Sequence, residues 1–217
     1  MRRILALLVS LGLVATGAYA SGFVFVATPL NDATLTNAEL LADDIPNCSA
    51  VAYWNGAGQN WVQHVNGLPP NNFAVTVSKP YMATVTADGI WTLCGGVPDS
   101  TTYLNAYQLY VGFSAIMLPL NMTYYTLANQ ILLDIPECNV IAYWNAAGQN
   151  WVQHIEGLPP NNFVPKVGYP YMLTCQSAGT WPTTLPPLKA TVGDEPQRSV
   201  SRGVMKLNSA PAVSGDR

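Results

Sequence analysis

The sequence predicts an α+β fold, mainly β, built from two tandem β-α-β-β-β-β modules. Three observations predict it. Gly22–Leu93 aligns with Gly112–Thr183 at a constant offset of 90 without gaps, and 37 of the 72 positions are identical. Self-similarity at that level means two copies of one supersecondary unit. Each copy also holds several short runs rich in β-branched and aromatic residues, punctuated by Gly, Pro and Asn. Only one stretch per copy spaces its apolar residues for a helix.

The elements follow in order. Gly22–Thr28 and Gly112–Leu118 are apolar runs suited to a buried strand, and Pro29 and Pro119 stop them. A short helix comes next. Thr36 and Glu39 fit a capping box, and Ala38, Leu41 and Ile45 fall on one face. Copy 2 has Thr126, Ala128, Ile131 and Ile135, with Asn129 in place of the Glu and hence a weaker cap. Pro46 and Pro136 end the helices. Ser49–Trp54 and Asn60–Val65 read as a hairpin joined by Asn55-Gly56-Ala57-Gly58, and Asn145-Ala146-Ala147-Gly148 repeats the turn. The prolines of Gly67–Asn72 demand a loop. Strands at Pro80–Thr86 and Ile90–Leu93 turn at Asp88-Gly89, and their counterparts are Pro170–Gln176 and Thr180–Pro182.

This divides the chain into module 1 (21–94), a linker or connecting strand (95–111, with Tyr103, Tyr107 and Tyr110), module 2 (112–182) and a tail (183–217) whose aperiodic texture reads as disorder. A unit of roughly 70 residues is marginal alone, so the copies are expected to pack together about a pseudo-twofold axis. Residues 1–20 read as a secretory signal peptide. Met1-Arg2-Arg3 is basic, Ile4–Val14 is mainly apolar, and Ala18-Tyr19-Ala20 is a small-residue cleavage site. Ser21 argues against a lipid anchor. No later stretch is apolar enough to span a bilayer. The expected location is periplasmic, cell-surface or extracellular.

Charge excludes one class of partner. Between Ser21 and Pro182 the bases are Lys79 and Lys166 against nine acids, a net of −7. Such a body cannot neutralise a run of phosphates, so nucleic acid is not expected. The four Cys of an exported chain read as disulfides. Cys48 and Cys138 are equivalent, whereas Cys94 and Cys175 are not. The preferred pairing is Cys48–Cys94 and Cys138–Cys175, one bond per copy. There is no C-x-x-C and no calcium-loop motif, so neither metal nor cofactor is expected.

The densest block runs from Ala52 to Phe73 and differs from Ala142–Phe163 only at Gly56/Ala146, Val65/Ile155 and Asn66/Glu156. Its aromatics are either core or a platform on which sugar rings stack. Under the second reading Tyr53, Trp54 and Asn55, with Tyr143, Trp144 and Asn145, form two equivalent ligand-binding sites. His64 and His154 lack an adjacent nucleophile or acid in the sequence and read as solvated strand-face residues. Asp43-Asp44 reads as water-exposed helix-end acids, because position 133 is Leu. The duplicated Pro69-Pro70-Asn71-Asn72-Phe73 is either a recognition loop or a rigid connection whose Phe plugs the core.

The pieces Gly112-Phe113-Ser114-Ala115-Ile116-Met117-Leu118-Pro119-Leu120, Tyr143-Trp144-Asn145, Gly168-Tyr169-Pro170-Tyr171 and Trp181 resemble a repeat module of uncharacterised exported bacterial surface proteins. Copy 1 departs from that pattern at Val24–Thr28 and at Ser78-Lys79. The resemblance implies an extracellular module and transfers no catalytic residue. The functional expectation is an exported, non-enzymatic interaction module. Its partner would be a polysaccharide or a surface protein. The alternative is a structural spacer or assembly subunit of the envelope or extracellular matrix.

Overall fold

The computed structural model describes residues 13–98, 106–182 and 205–207. Copy 1 runs β1 (Leu13–Tyr19), β2 (Gly22–Ala27), α1 (Ala38–Asp44), β3 (Cys48–Asn55), β4 (Asn60–Val65), β5 (Pro80–Val85) and β6 (Gly89–Gly95). Copy 2 runs β7 (Tyr107–Leu109), β8 (Gly112–Met117), α2 (Ala128–Asp134), β9 (Cys138–Asn145), β10 (Asn150–Ile155), β11 (Pro170–Cys175) and β12 (Gly179–Trp181). A last strand, β13 (Met205–Leu207), lies parallel to β1. The expected mainly-β α+β fold with a duplicated unit is therefore present. The rest of the tail and residues 1–12 of the leader lie outside the described residues, as does Tyr103.

Each copy builds a four-stranded antiparallel sheet, ordered β2-β5-β3-β4 and β8-β11-β9-β10. The registers repeat at the offset of the duplication: Trp54 faces Trp61 on β4, and Trp144 faces Trp151 on β10. The last predicted strand of each copy does not join this sheet. It pairs instead with a strand from upstream of the duplicated block. Gly17, Ala18 and Tyr19 of β1 face Trp91, Ile90 and Gly89, and Tyr107, Gln108 and Leu109 of β7 face Trp181, Thr180 and Gly179.

Strand alternation gives each sheet two apolar faces. One face of sheet 1 carries Val51, Tyr81, Ala83 and Val85, which α1 covers with Ala38, Leu41, Ala42 and Ile45. Copy 2 repeats the arrangement with Ala128, Ile131, Leu132 and Ile135. Each fully buried Leu or Ile contributes about 1.5–3 kcal/mol. The other face turns toward the partner module, where Phe25, Trp54 and Met82 meet Ala115, Trp144 and Met172.

The helix starts differ from the expected capping box. Asn37 is the N-cap of α1, and its side chain accepts from Leu40 N. The Glu39 carboxylate points away to His64 and Gly67. At α2 the residue at N-cap is Leu127, and Gln130 Oε1 accepts from both Thr126 N and Leu127 N.

Cys138 and Cys175 are bonded, as expected for copy 2. Cys48 and Cys94 are free thiols, so the expected bond in copy 1 is not formed. The register gives the reason. Cys175 sits opposite Cys138, but its counterpart opposite Cys48 is Val85. Cys94 lies on β6, outside the four-stranded sheet. There Trp91 and Leu93 take the buried face, and alternation turns Cys94 outward.

Candidate functional site

The duplicated hairpin is the joint between the modules. Trp54 Nε1 donates to the Phe113 carbonyl of β8 at 2.8 Å, and Trp144 Nε1 donates to the Phe23 carbonyl of β2 at 2.7 Å. A glutamine completes each clasp. Gln59 accepts from Phe113 N at 2.7 Å and donates to its carbonyl at 2.9 Å. Gln149 does the same to Phe23 at 2.7 and 3.1 Å. Each hairpin thus holds the first sheet strand of the other copy, the reciprocity of a pseudo-twofold contact. Gly22 and Gly112 permit it. Both have positive φ, and a Cβ at either would overlap the amide of the clasping Gln.

Aromatic rings fill the space around the clasp edge to face. Trp54 meets Trp61 at 5.3 Å and Phe113 at 6.0 Å, and Trp144 meets Trp151 at 5.2 Å. Phe25 bridges the modules, 6.2 Å from Trp61 and 5.4 Å from Trp151. Its counterpart is Ala115, so the pseudo-symmetry breaks there.

The six candidate ligand-binding residues divide by role. Asn55 and Asn145 serve the turn. Asn55 accepts from Gly58 N and donates to Asn60, and Asn145 repeats this with Gly148 and Asn150. Tyr143 is 1% exposed and packs edge-on against Phe163 at 4.8 Å, so it belongs to the core. Tyr53 is half-buried against Phe73, with Lys79 Nζ 4.8 Å from its ring centroid. Trp54 is half-buried and Trp144 is buried. A flat, exposed platform is therefore not what these residues form.

They line two cavities instead. Tyr53, Trp54 and Asn55 border one of about 410 Å³, which residues of β7 and the Thr76–Lys79 loop also line. Trp144 and Asn145 border one of about 340 Å³ beside β1 and Gly168-Tyr169. The two are counterparts under the duplication, and both lie within the size range of small-ligand sites.

Both histidines are buried at 1% exposure, which overturns the solvated reading. His64 places Nδ1 2.9 Å from the Pro70 carbonyl and Nε2 2.5 Å from the Glu39 carboxylate. Burial alone would lower its pKa, but the Pro70 carbonyl and Glu39 together outweigh burial and the net direction is upward. Glu39 is held below the ordinary carboxylate range, first by His64 and then by the Gly67 N–H. In copy 2 His154 meets Pro160 and the neutral Asn129. The helix-end acids also have partners. Asp44 accepts from Trp91 Nε1 at 2.7 Å, and Asp134 accepts from Trp181 Nε1 at 2.8 Å and Tyr125 at 2.6 Å. The signal that finds them is the duplication itself, since Asp44 and Asp134 match while Asp43 and Leu133 do not. The Pro-Pro-Asn-Asn-Phe loop is a rigid connection. Asn72 accepts from Glu39 N, the Phe73 carbonyl accepts from Ala38 N, and Phe73 stacks on Tyr81 at 6.0 Å.

Among the described residues no cluster of three His, Cys, Asp or Glu could hold a metal ion, and no helix is long and apolar enough to cross a membrane. The Cys138–Cys175 bond fits a non-cytoplasmic, oxidising compartment. Comparison with family models, curated proteins and solved structures finds no match to this chain.

Proposed function

We propose that the protein is an exported, non-enzymatic interaction module that recognises a surface polymer at the joint between its two copies. One observation carries this reading. The duplicated Tyr53-Trp54-Asn55 segment borders a cavity at the joint whose walls all lie within the expected mature chain. Aromatic walls suit the C–H faces of sugar rings.

The structural-spacer reading is favoured by a different observation. The clasp engages both indole N–H groups, so packing alone accounts for the duplicated Trp and Gln. One experiment separates the two. The oxidised chain is run by affinity electrophoresis through gels containing neutral and acidic polysaccharides, beside sedimentation velocity at rising protein concentration. Retardation by a polysaccharide supports recognition. Concentration-dependent association without retardation replaces it with the assembly reading.

A further inference from the structure

The two cavities are equivalent in position but not in chemistry. The difference sits where copy 1 departs from copy 2. Gly168 borders the second cavity, and its counterpart bordering the first is Ser78. Tyr169 is matched by Lys79 in the same way. Gly168 and Ser78 share a left-handed backbone, with φ of 71° and 67°. A left-handed φ suits glycine and strains serine. Copy 1 accepts that strain and gains a hydroxyl, and Ser78 Oγ is buried without a hydrogen-bond partner. An orphan buried hydroxyl on a strained residue at a cavity wall points to a ligand atom. The surrounding backbone holds it in place: Ser78 N donates to the Thr28 carbonyl at 2.8 Å, and its carbonyl accepts from Tyr107 at 2.5 Å.

Lys79 adds the charge. It is one of two bases between Ser21 and Pro182, in a body of net −7. Its ammonium stands over Tyr53 on the rim of the first cavity. Among the described residues the second cavity has no base on its wall, and it carries Asp88. Tyr110 and Trp54 supply further ring surface to the first. A ligand matched to this wall has an apolar ring face, a hydroxyl for Ser78 and an anionic group for Lys79.

We propose that the first cavity binds one acidic sugar unit, a pyranose whose single carboxylate needs only one lysine, and that the second does not. This rests on the reading of the joint as a polymer-recognition site and names its ligand class. The carboxylate pairs with Lys79, the Ser78 side chain rotates so that its unpartnered Oγ reaches a ring hydroxyl, and the ring lies against Tyr53 and Trp54.

The test titrates the full chain with an oligogalacturonate, a neutral galactan oligomer of equal length and sodium acetate, read by calorimetry and tryptophan emission. The expected result is saturable, salt-sensitive binding of the oligogalacturonate with one site per chain. Lys79→Tyr, which installs the copy 2 residue, weakens it about tenfold or more, the loss expected for a hydrogen bond to a charged group. Ser78→Gly weakens it several-fold while its melting temperature holds or rises, because the left-handed strain is relieved. A residue of purely structural value would not show that opposite movement. Equal affinity for the neutral oligomer, full competition by acetate, or unchanged affinity in Lys79→Tyr would each overturn the acidic-sugar assignment. Binding of the neutral oligomer alone would leave polymer recognition standing. Binding of neither oligomer would remove both.

Discussion

Truncating the two clasp tryptophans should have unequal effects. Trp144 is 9% exposed and wedged against Phe23, Phe25 and Met172, whereas Trp54 is half-buried. Removing a buried Trp side chain costs about 3–5 kcal/mol, including the cavity it leaves. The lost N–H bond adds little, because the Phe23 carbonyl keeps Gln149 Nε2 at 3.1 Å. Trp144→Ala should therefore cost about 4 kcal/mol, an 8–16 °C fall in melting temperature at about 2–4 °C per kcal/mol for a chain of this size. Trp54→Ala should cost about 2 kcal/mol, since roughly half the area is at stake. Trp144→Phe keeps the ring contact and loses the donor, at about 1 kcal/mol. Urea unfolding of the three variants under oxidising conditions measures all of this. A second transition in Trp144→Ala would show that the clasp couples the modules. The reasoning fails if Trp144→Ala costs less than about 1 kcal/mol, or if Trp54→Ala costs more than Trp144→Ala.

Four further outcomes are expected. Glu39→Asn gives module 1 the neutral partner that His154 already has. His64 is raised from its ordinary 6.5, so its share of stability is present below that value and is lost as pH rises through the folded pKa. Glu39 is lowered from 4.5, so its share is present above that value and is lost as pH falls through the folded pKa. The wild type should thus show a stability maximum between the two that Glu39→Asn flattens, read as melting temperature against pH; superimposable profiles would refute the pairing. A thiol reagent should label Cys94 quickly and Cys48 slowly, because burial pushes the Cys48 thiol up to about 11, and should reach Cys138 and Cys175 only after reduction. Reducing that bond should lower stability by about 4 kcal/mol on the chain-entropy account. Gly112→Ala should destabilise by at least about 1 kcal/mol, since the residue has φ of 93° and its Cβ would press on Gln59.

The duplication made most of the architecture readable. Strand alternation, the Asn-Gly turn and the prolines place every strand of the two sheets, and Leu41 and Ile131 mark the covered helix faces. Local pattern was silent on which side chains meet across the joint. Trp54 finds Phe113 and Trp144 finds Phe23 at separations of 59 and 121 residues. No periodicity encodes such distant pairs. For the same reason Cys48 was matched to Cys94 by copy number, although the register sets Val85 opposite it. His64 reads as solvated because no nucleophile or acid adjoins it in the sequence, while its true partners lie in the Pro70 loop and on α1. The candidate site was half legible. Tyr53, Trp54, Asn55, Trp144 and Asn145 border the cavities, but the two Asn amides are held by their turns and Tyr143 lies in the core. Ser78 and Lys79 were visible as departures from the repeat, yet their place on a cavity wall needed the fold.

The strand that seals each unit is not its own. Copy 2 takes β7 from the connection that leaves copy 1, and copy 1 takes β1 from the residues ahead of Gly22. A concatenated series of such units therefore has a direction: every joint furnishes the closing strand of the unit downstream, and the leading unit depends on whatever precedes it. A cut after Ala20 would strip seven paired residues from β6 and withdraw Tyr19 from the core. The leading unit would then begin with a bare strand edge, open to any extended segment of matching direction, and the trailing unit would stay sealed. Processing at that bond would thereby give the molecule a receptive end and an inert one.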